Sequence, residues 1–169
     1  INGAGAANKG MALFPRKIGG EFVMCSRIDG ENLFISTSDS AYFWESAVKL
    51  TVPKFPWEFM QIGNCGSPIE TDEGWLLLTH GVGPMRTYSI GAILLDKHDP
   101  LKIISQLPEP LIEPIETERE GYVPNVVYTC GALIHSGTLY VPYAQADKST
   151  TMAIIEMDEL LNALLDCKS

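Results

Sequence analysis

The chain has few positive charges: 12 Lys and Arg stand against 21 Asp and Glu, for a net charge of −9 and a pI near 4.7. A surface of that sign repels nucleic acid and anionic membranes, so neither is an expected partner. No apolar run approaches the roughly 20 residues that a membrane-crossing helix needs. No basic-then-apolar leader opens the sequence, and the expected location is the cytoplasm. The four cysteines, Cys25, Cys65, Cys130 and Cys167, form no CxxC pair and have no histidine at zinc spacing, so no metal site or cofactor is expected. Cys25 and Cys130 fall in apolar strand-like runs and read as buried free thiols of a reducing compartment. The chain also lacks a GxSxG elbow, a P-loop, a GxGxxG fingerprint and an HExxH pair.

What is present is a β-rich pattern that repeats. GGEFVMCSR is followed by ENLFISTSDS, EGWLLLTHG by YSIGAILLDKHD, and SGTLYVPYAQAD by TTMAIIEMDE. Each unit has a Gly turn, an apolar strand, a polar loop, a second apolar strand and an acidic turn. Further short strands are expected in Ser67–Thr71 and across Asn125–Ile134. Repeats of this kind suggest propeller blades, and the periodicity alone is equally open to a sandwich. The expected division is a flexible segment or cut end over 1–10, blades over about 11–50, 60–106 and 122–157, and a terminal helix over 158–166. Asp158 is the helix N-cap candidate, with Leu160, Leu161, Leu164 and Leu165 on one stripe. The proline-rich section Leu107–Pro124 is expected to be extended and irregular.

Laying the units over one another places Arg27, His80 and Asp147 at the same end of equivalent strands. Singly, each reads as a hydrogen-bonded loop residue, a surface charge or a turn former. Together they point to one polar funnel, and His80 ends the strand WLLLTH because that end faces a site. The glycines of QIGNCGSP, Gln61–Pro68, would let backbone approach a ligand closely. Arg86 reads as a solvated charge, His98 and His135 as exposed turn residues. Tyr122 and Asn125 precede a strand, where Asn is commonly a turn residue. The residues by themselves support a β-rich domain with a polar funnel.

Five stretches, NKGMALFPRKIGGEFVMCSR, QIGNCGSPIETDEGWLLLTHGV, YSIGAILLDKHDPLKII, EREGYVPNVVYTCGALI and MDELL, together resemble glycoside hydrolase family 130 from Asn8 to Leu165. These are β-1,4-mannosyl phosphorylases and related β-mannosidases. The resemblance implies an all-β fold, part of a five-bladed propeller with about three blades and a short C-terminal helix. It implies inverting cleavage of a β-mannoside, with inorganic phosphate as co-substrate and mannose 1-phosphate as product. Phosphorolysis is favoured over hydrolysis. The family's phosphate-binding set falls on Lys9, Arg27, Gln61 and His80, where Gln61 replaces a lysine. Asp147 falls on an aspartate that faces the sugar, with Tyr122 and Asn125 as further substrate contacts. No residue of this chain matches the general acid, which is expected in N-terminal blades outside it. The alternative is a non-catalytic carbohydrate- or phosphosugar-binding propeller piece, with homodimerisation as one way to cover its open edges.

Overall fold

Three antiparallel sheets follow one another along the chain in the computed structural model, which describes residues 1–115 and 121–167. The first has the order β1 (Lys9–Leu13), β2 (Phe22–Arg27), β3 (Leu33–Ser38), β4 (Val48–Thr51). In the second, β5 (Gln61–Asn64) and β6 (Ile69–Glu70) both pair with β7 (Trp75–Val82), which pairs with β8 (Tyr88–Leu95), then β9 (Ile103–Gln106). In the third, β10 (Val127–Tyr128) and β11 (Leu133–His135) flank one side of β12 (Thr138–Gln145), and β13 (Ser149–Glu156) flanks the other. Helix α1, Met157–Asp166, ends the described chain.

The middle sheet is apolar on both faces, which is why β7 reads as a continuous hydrophobic run. Trp75 and Leu77 of β7 join Val23, Cys25, Leu33 and Ile35 of the first sheet in one core. Leu76 and Leu78 join Leu139 and Val141 of the third sheet, with Met157, Leu160 and Leu164 of α1, in a second core. Alternation along β7 therefore sends odd positions to one neighbour and even positions, His80 included, to the other.

Several expectations are corrected. The opening residues, expected to be flexible, run along the Tyr42–Trp44 backbone: Trp44 donates to the Asn2 carbonyl at 2.8 Å and Gly5 to the Trp44 carbonyl at 2.9 Å. Gly5 is buried against Ser46, where a Cβ would collide with backbone. Cys25 is buried but Cys130 is exposed, because β10 stops at Tyr128 and the chain bends away before β11. Glu156, not Asp158, holds the N-cap position and makes no side-chain cap; Asp158 lies in the first turn, where its charge complements the helix dipole. His135 is exposed but ends β11 instead of sitting in a turn. The proline-rich expectation falls partly on 116–120, outside the described residues. In 107–115, the backbone amides of Leu111 and Ile112 donate to the Ile90 carbonyl at 2.7 and 3.0 Å.

The link between the first two sheets is itself packed. A 3-10 turn at Pro56–Glu58 lays the Trp57 ring over Gly81 and Gly91, while its indole N–H donates to the Pro108 carbonyl at 2.8 Å. Buried Glu58 accepts from the Lys54 amide at 2.8 Å and from Gln106 Nε2 at 3.2 Å. Any Cβ at Gly91 would overlap the Trp57 ring. Gly91→Ala is expected to destabilise the fold by about 1–3 kcal/mol, the cost typical of overpacking. Urea unfolding checks this, and an unchanged midpoint would show that Trp57 is free to move.

Candidate functional site

Arg27 closes β2 just before a tight turn. Asp29 builds that turn: its carboxylate accepts from the amides of Glu31 (2.9 Å) and Asn32 (2.8 Å) and from Asn32 Nδ2 (2.6 Å). These bonds hold the Asp29 pKa below the usual carboxylate range, against a raising effect of burial. Gly30, at φ +80°, completes the turn and turns its carbonyl to Arg27 Nη2 at 2.5 Å. Arg27 is only 4% exposed, and its Nε has no hydrogen-bond partner among the described residues. Among the described residues no carboxylate lies within ion-pair distance of it. Burial pulls its pKa down, yet an arginine keeps its charge. A buried cation with no carboxylate beside it is the unusual feature of the described residues.

Its nearest polar neighbour is His80. Arg27 Nη1 stands 3.2 Å from His80 Nε2. A guanidinium can only donate, so Nε2 must accept. That makes the imidazole neutral and puts its proton on Nδ1, which lies 3.7 Å from Cys65 Sγ. Burial, then the positive charges of Arg27 and Lys9, push the His80 pKa down to about 3. Burial likewise pushes the Cys65 thiol up to about 12, so it stays protonated. His80 is therefore an acceptor that orients Arg27.

The strands explain how these side chains meet across 53 residues. Gly63 of β5 pairs with His80 of β7, and Lys9 of β1 with Arg27 of β2. A Cβ at Gly63 would collide with Arg27 Cδ and His80 Cε1. The glycine thus makes room for protein side chains, where the sequence suggested room for a ligand. Gln61, two residues earlier, projects from the same face of β5 and is half-buried. Lys9 is exposed.

Tyr88 and Tyr128 flank the imidazole, at centroid distances of 6.3 Å (stacked) and 5.2 Å (edge-on). Both tyrosines line a cleft of about 640 Å³ together with Arg86, Asn125 and Asp147. So the structure brings Lys9, Arg27, Gln61 and His80 to one place, and Asn125 and Asp147 to the adjoining cleft. Tyr122 is 89% exposed and does not line the cleft. Sequence reasoning missed Tyr88, Tyr128 and Cys65, and gave the glycine at 63 a different role. Tyr88 starts the strand after THGV, opposite Val82, a position a hairpin count would have found. Arg86, read as solvated, is exposed and still borders the cleft. Among the described residues no group of three His, Cys, Asp or Glu is placed to hold a metal ion.

Comparison with known proteins follows the same site. Residues 3–166 match the family model described as beta-1,4-mannooligosaccharide phosphorylase, glycoside hydrolase family 130. The chain is 39% identical over 155 residues to the 1,2-beta-oligomannan phosphorylase of Thermoanaerobacter sp. (strain X514), covering 90% of this chain and 52% of that protein. It is 35% identical over 167 residues to the beta-1,4-mannooligosaccharide phosphorylase of Ruminococcus albus, covering 92% and 50%. The solved beta-1,2-mannobiose phosphorylase of Listeria innocua, in complex with beta-1,2-mannobiose, superposes with a TM-score of 0.84 at 29% identity, covering 92% of this chain and 46% of that one. The chain spans about half the length of the curated relatives it matches.

A neutral buried histidine has a consequence for pH. The unfolded chain takes up a proton near pH 6.5, whereas the folded chain does so only near 3. Stability is therefore full above about 6.5 and falls as the pH drops through this window. His80→Gln keeps an acceptor for Arg27 and should flatten the fall by one proton, about 1.4 kcal/mol per pH unit. Urea unfolding at pH 7 and pH 5 measures it. Parallel slopes in both proteins would mean that His80 is charged in the fold.

Proposed function

The chain belongs to glycoside hydrolase family 130, and on that premise we propose that it forms the C-terminal part of a five-bladed β-propeller enzyme that cleaves β-mannosides by phosphorolysis. The observation that carries the reading is the buried Arg27 guanidinium, which among the described residues has no carboxylate beside it. Leaving a buried charge uncompensated costs about 3–5 kcal/mol. A bound phosphate would remove that cost, and the planar fork of Arg27 suits it. Lys9 adds charge at the same edge. Gln61 donates an amide where the family carries a lysine, and His80 holds Arg27 in place without adding charge.

In this reading phosphate attacks the anomeric carbon from the Arg27 side. The glycosidic C–O bond breaks with inversion and mannose 1-phosphate leaves. The proton for the departing sugar oxygen comes from a general acid outside this chain, since no residue here matches one. With phosphate as nucleophile no base is needed to activate water, unlike the paired carboxylates of ordinary inverting glycosidases. Asp147, Asn125 and the Tyr88–Tyr128 wall are the sugar contacts. Tyr122, far more exposed, is a lesser candidate. The phosphorylase names of the relatives favour turnover over a binding-only role. The exposed Leu133, Met152 and Ile154 on one face of the third sheet offer apolar surface for a further blade.

The test uses the complete enzyme with β-1,2- and β-1,4-mannobiose, with and without phosphate. Mannose 1-phosphate should appear only with phosphate present; equal release of free mannose in both conditions would overturn phosphorolysis. Gln61→Lys restores a charge at the anion site and should lower the KM for phosphate on the order of tenfold, the worth of one charge-assisted hydrogen bond. A phosphate KM that does not move would place Gln61 outside that site.

A further inference from the structure

Cys65 follows β5 and is buried in the second core with Leu78 and Leu139. Its amide donates to the Leu78 carbonyl at 2.8 Å, which ties its backbone to β7 two residues before His80. Its Sγ lies 3.7 Å from His80 Nδ1. The Thr129 amide, just past β10 of the third sheet, is a second donor beside that sulfur. Gly66, the next residue, is pressed against the Cys130 backbone, where a Cβ would collide with the carbonyl. The segment that carries the sulfur is therefore fixed from both sides. Thr129, Cys65, His80 and Arg27 form a line of contacts that crosses all three sheets.

That line has a direction. His80 Nε2 accepts from Arg27, so the ring proton must stay on Nδ1. The other tautomer would set an N–H against the N–H of a guanidinium. Which ring nitrogen keeps the proton is fixed by the hydrogen bonds around the ring. The Asn64 backbone also accepts from the ring and draws its pKa upward, but any residue at 64 brings a carbonyl. Cys65 is the side-chain partner that the sequence selects. A sulfur is a weak acceptor, and here weakness has a use. An aspartate at 65 would favour the imidazolium, which has no lone pair left for Arg27. Burial pushes the Cys65 thiol up to about 12, so it stays protonated and directs the imidazole without adding a charge.

We propose that Cys65 is a positioning residue for the anion site: its sulfur holds the His80 proton on Nδ1 and so leaves Nε2 to accept from Arg27. The consequence for turnover rests on the phosphorolysis reading above; the tautomer does not. Cys65 does not line the cleft beside His80 and acts only through the imidazole. Without the sulfur, the ring proton divides between the two nitrogens. Wherever it sits on Nε2, Arg27 loses its side-chain partner and its fork is no longer aimed.

The experiment records nitrogen NMR spectra of the full-length enzyme with isotope-labelled histidines, His80 being assigned by its absence from His80→Gln. The wild-type ring is expected as a single Nδ1–H tautomer. Cys65→Val, close to cysteine in size but without an acceptor, is expected to show a mixture of the two tautomers. It is also expected to raise the KM for phosphate about fivefold, the worth of one neutral hydrogen bond, and to change the KM for β-mannobiose less. Cys65→Ala repeats the loss with a smaller side chain, should valine prevent folding. A wild-type ring protonated on Nε2, or a variant ring still wholly Nδ1–H, overturns the proposal whatever the kinetics show. A changed tautomer with an unmoved phosphate KM overturns the link to the anion site. If the wild-type enzyme forms no mannose 1-phosphate, the phosphorolysis reading fails, and the spectra alone decide whether Cys65 sets the tautomer.

Discussion

Arg27 is taken out of water with no acidic partner among the described residues, and the surrounding structure can be understood as the means of holding it there. Its hydrogen-bond donors are distributed between a turn carbonyl at Gly30 and the imidazole of His80, and Nε is left over. Neither partner carries a negative charge. The geometry therefore satisfies direction and leaves charge unsatisfied, the opposite of a structural salt bridge, where both are consumed within the protein. A site of that kind has affinity in reserve for an anion.

Holding it requires the sheets to come together at one end. β2 and β7 belong to different sheets, yet their ends converge because the middle sheet is apolar on both faces and must be covered by both neighbours. Glycine at position 63 is the second requirement, since any side chain there would separate Arg27 from His80. The cleft beyond His80 is then shaped by hairpin loops with left-handed residues, a division in which rigid sheets fix the Arg27–His80 end and strained loops border the open cleft.

Much of this was legible in the sequence. Paired apolar strands after Gly turns correspond to β2 and β3, β7 and β8, β12 and β13. Counting from those turns aligned Arg27 with His80, which do meet, and put Asp147 at the same end. Other features were not legible. The opening glycines looked loose because their partner, the Trp44 backbone, lies some 40 residues away. Cys130 looked like a strand residue because a two-residue β10 leaves too short a pattern to show where pairing stops. Tyr128 followed a valine run and looked like ordinary strand composition, until its edge met the imidazole.

By itself the sequence determined the paired strands at the centre of each sheet and the family, since local apolar patterning and motif spacing are properties of the chain alone. It also supplied the polar residues that meet around Arg27 and His80. Only the tertiary structure decided their roles. A histidine is cation or acceptor according to what surrounds it, and at His80 burial and a guanidinium from another sheet make it neutral. Protonation state is a property of the assembled environment, and no spacing along the chain encodes it.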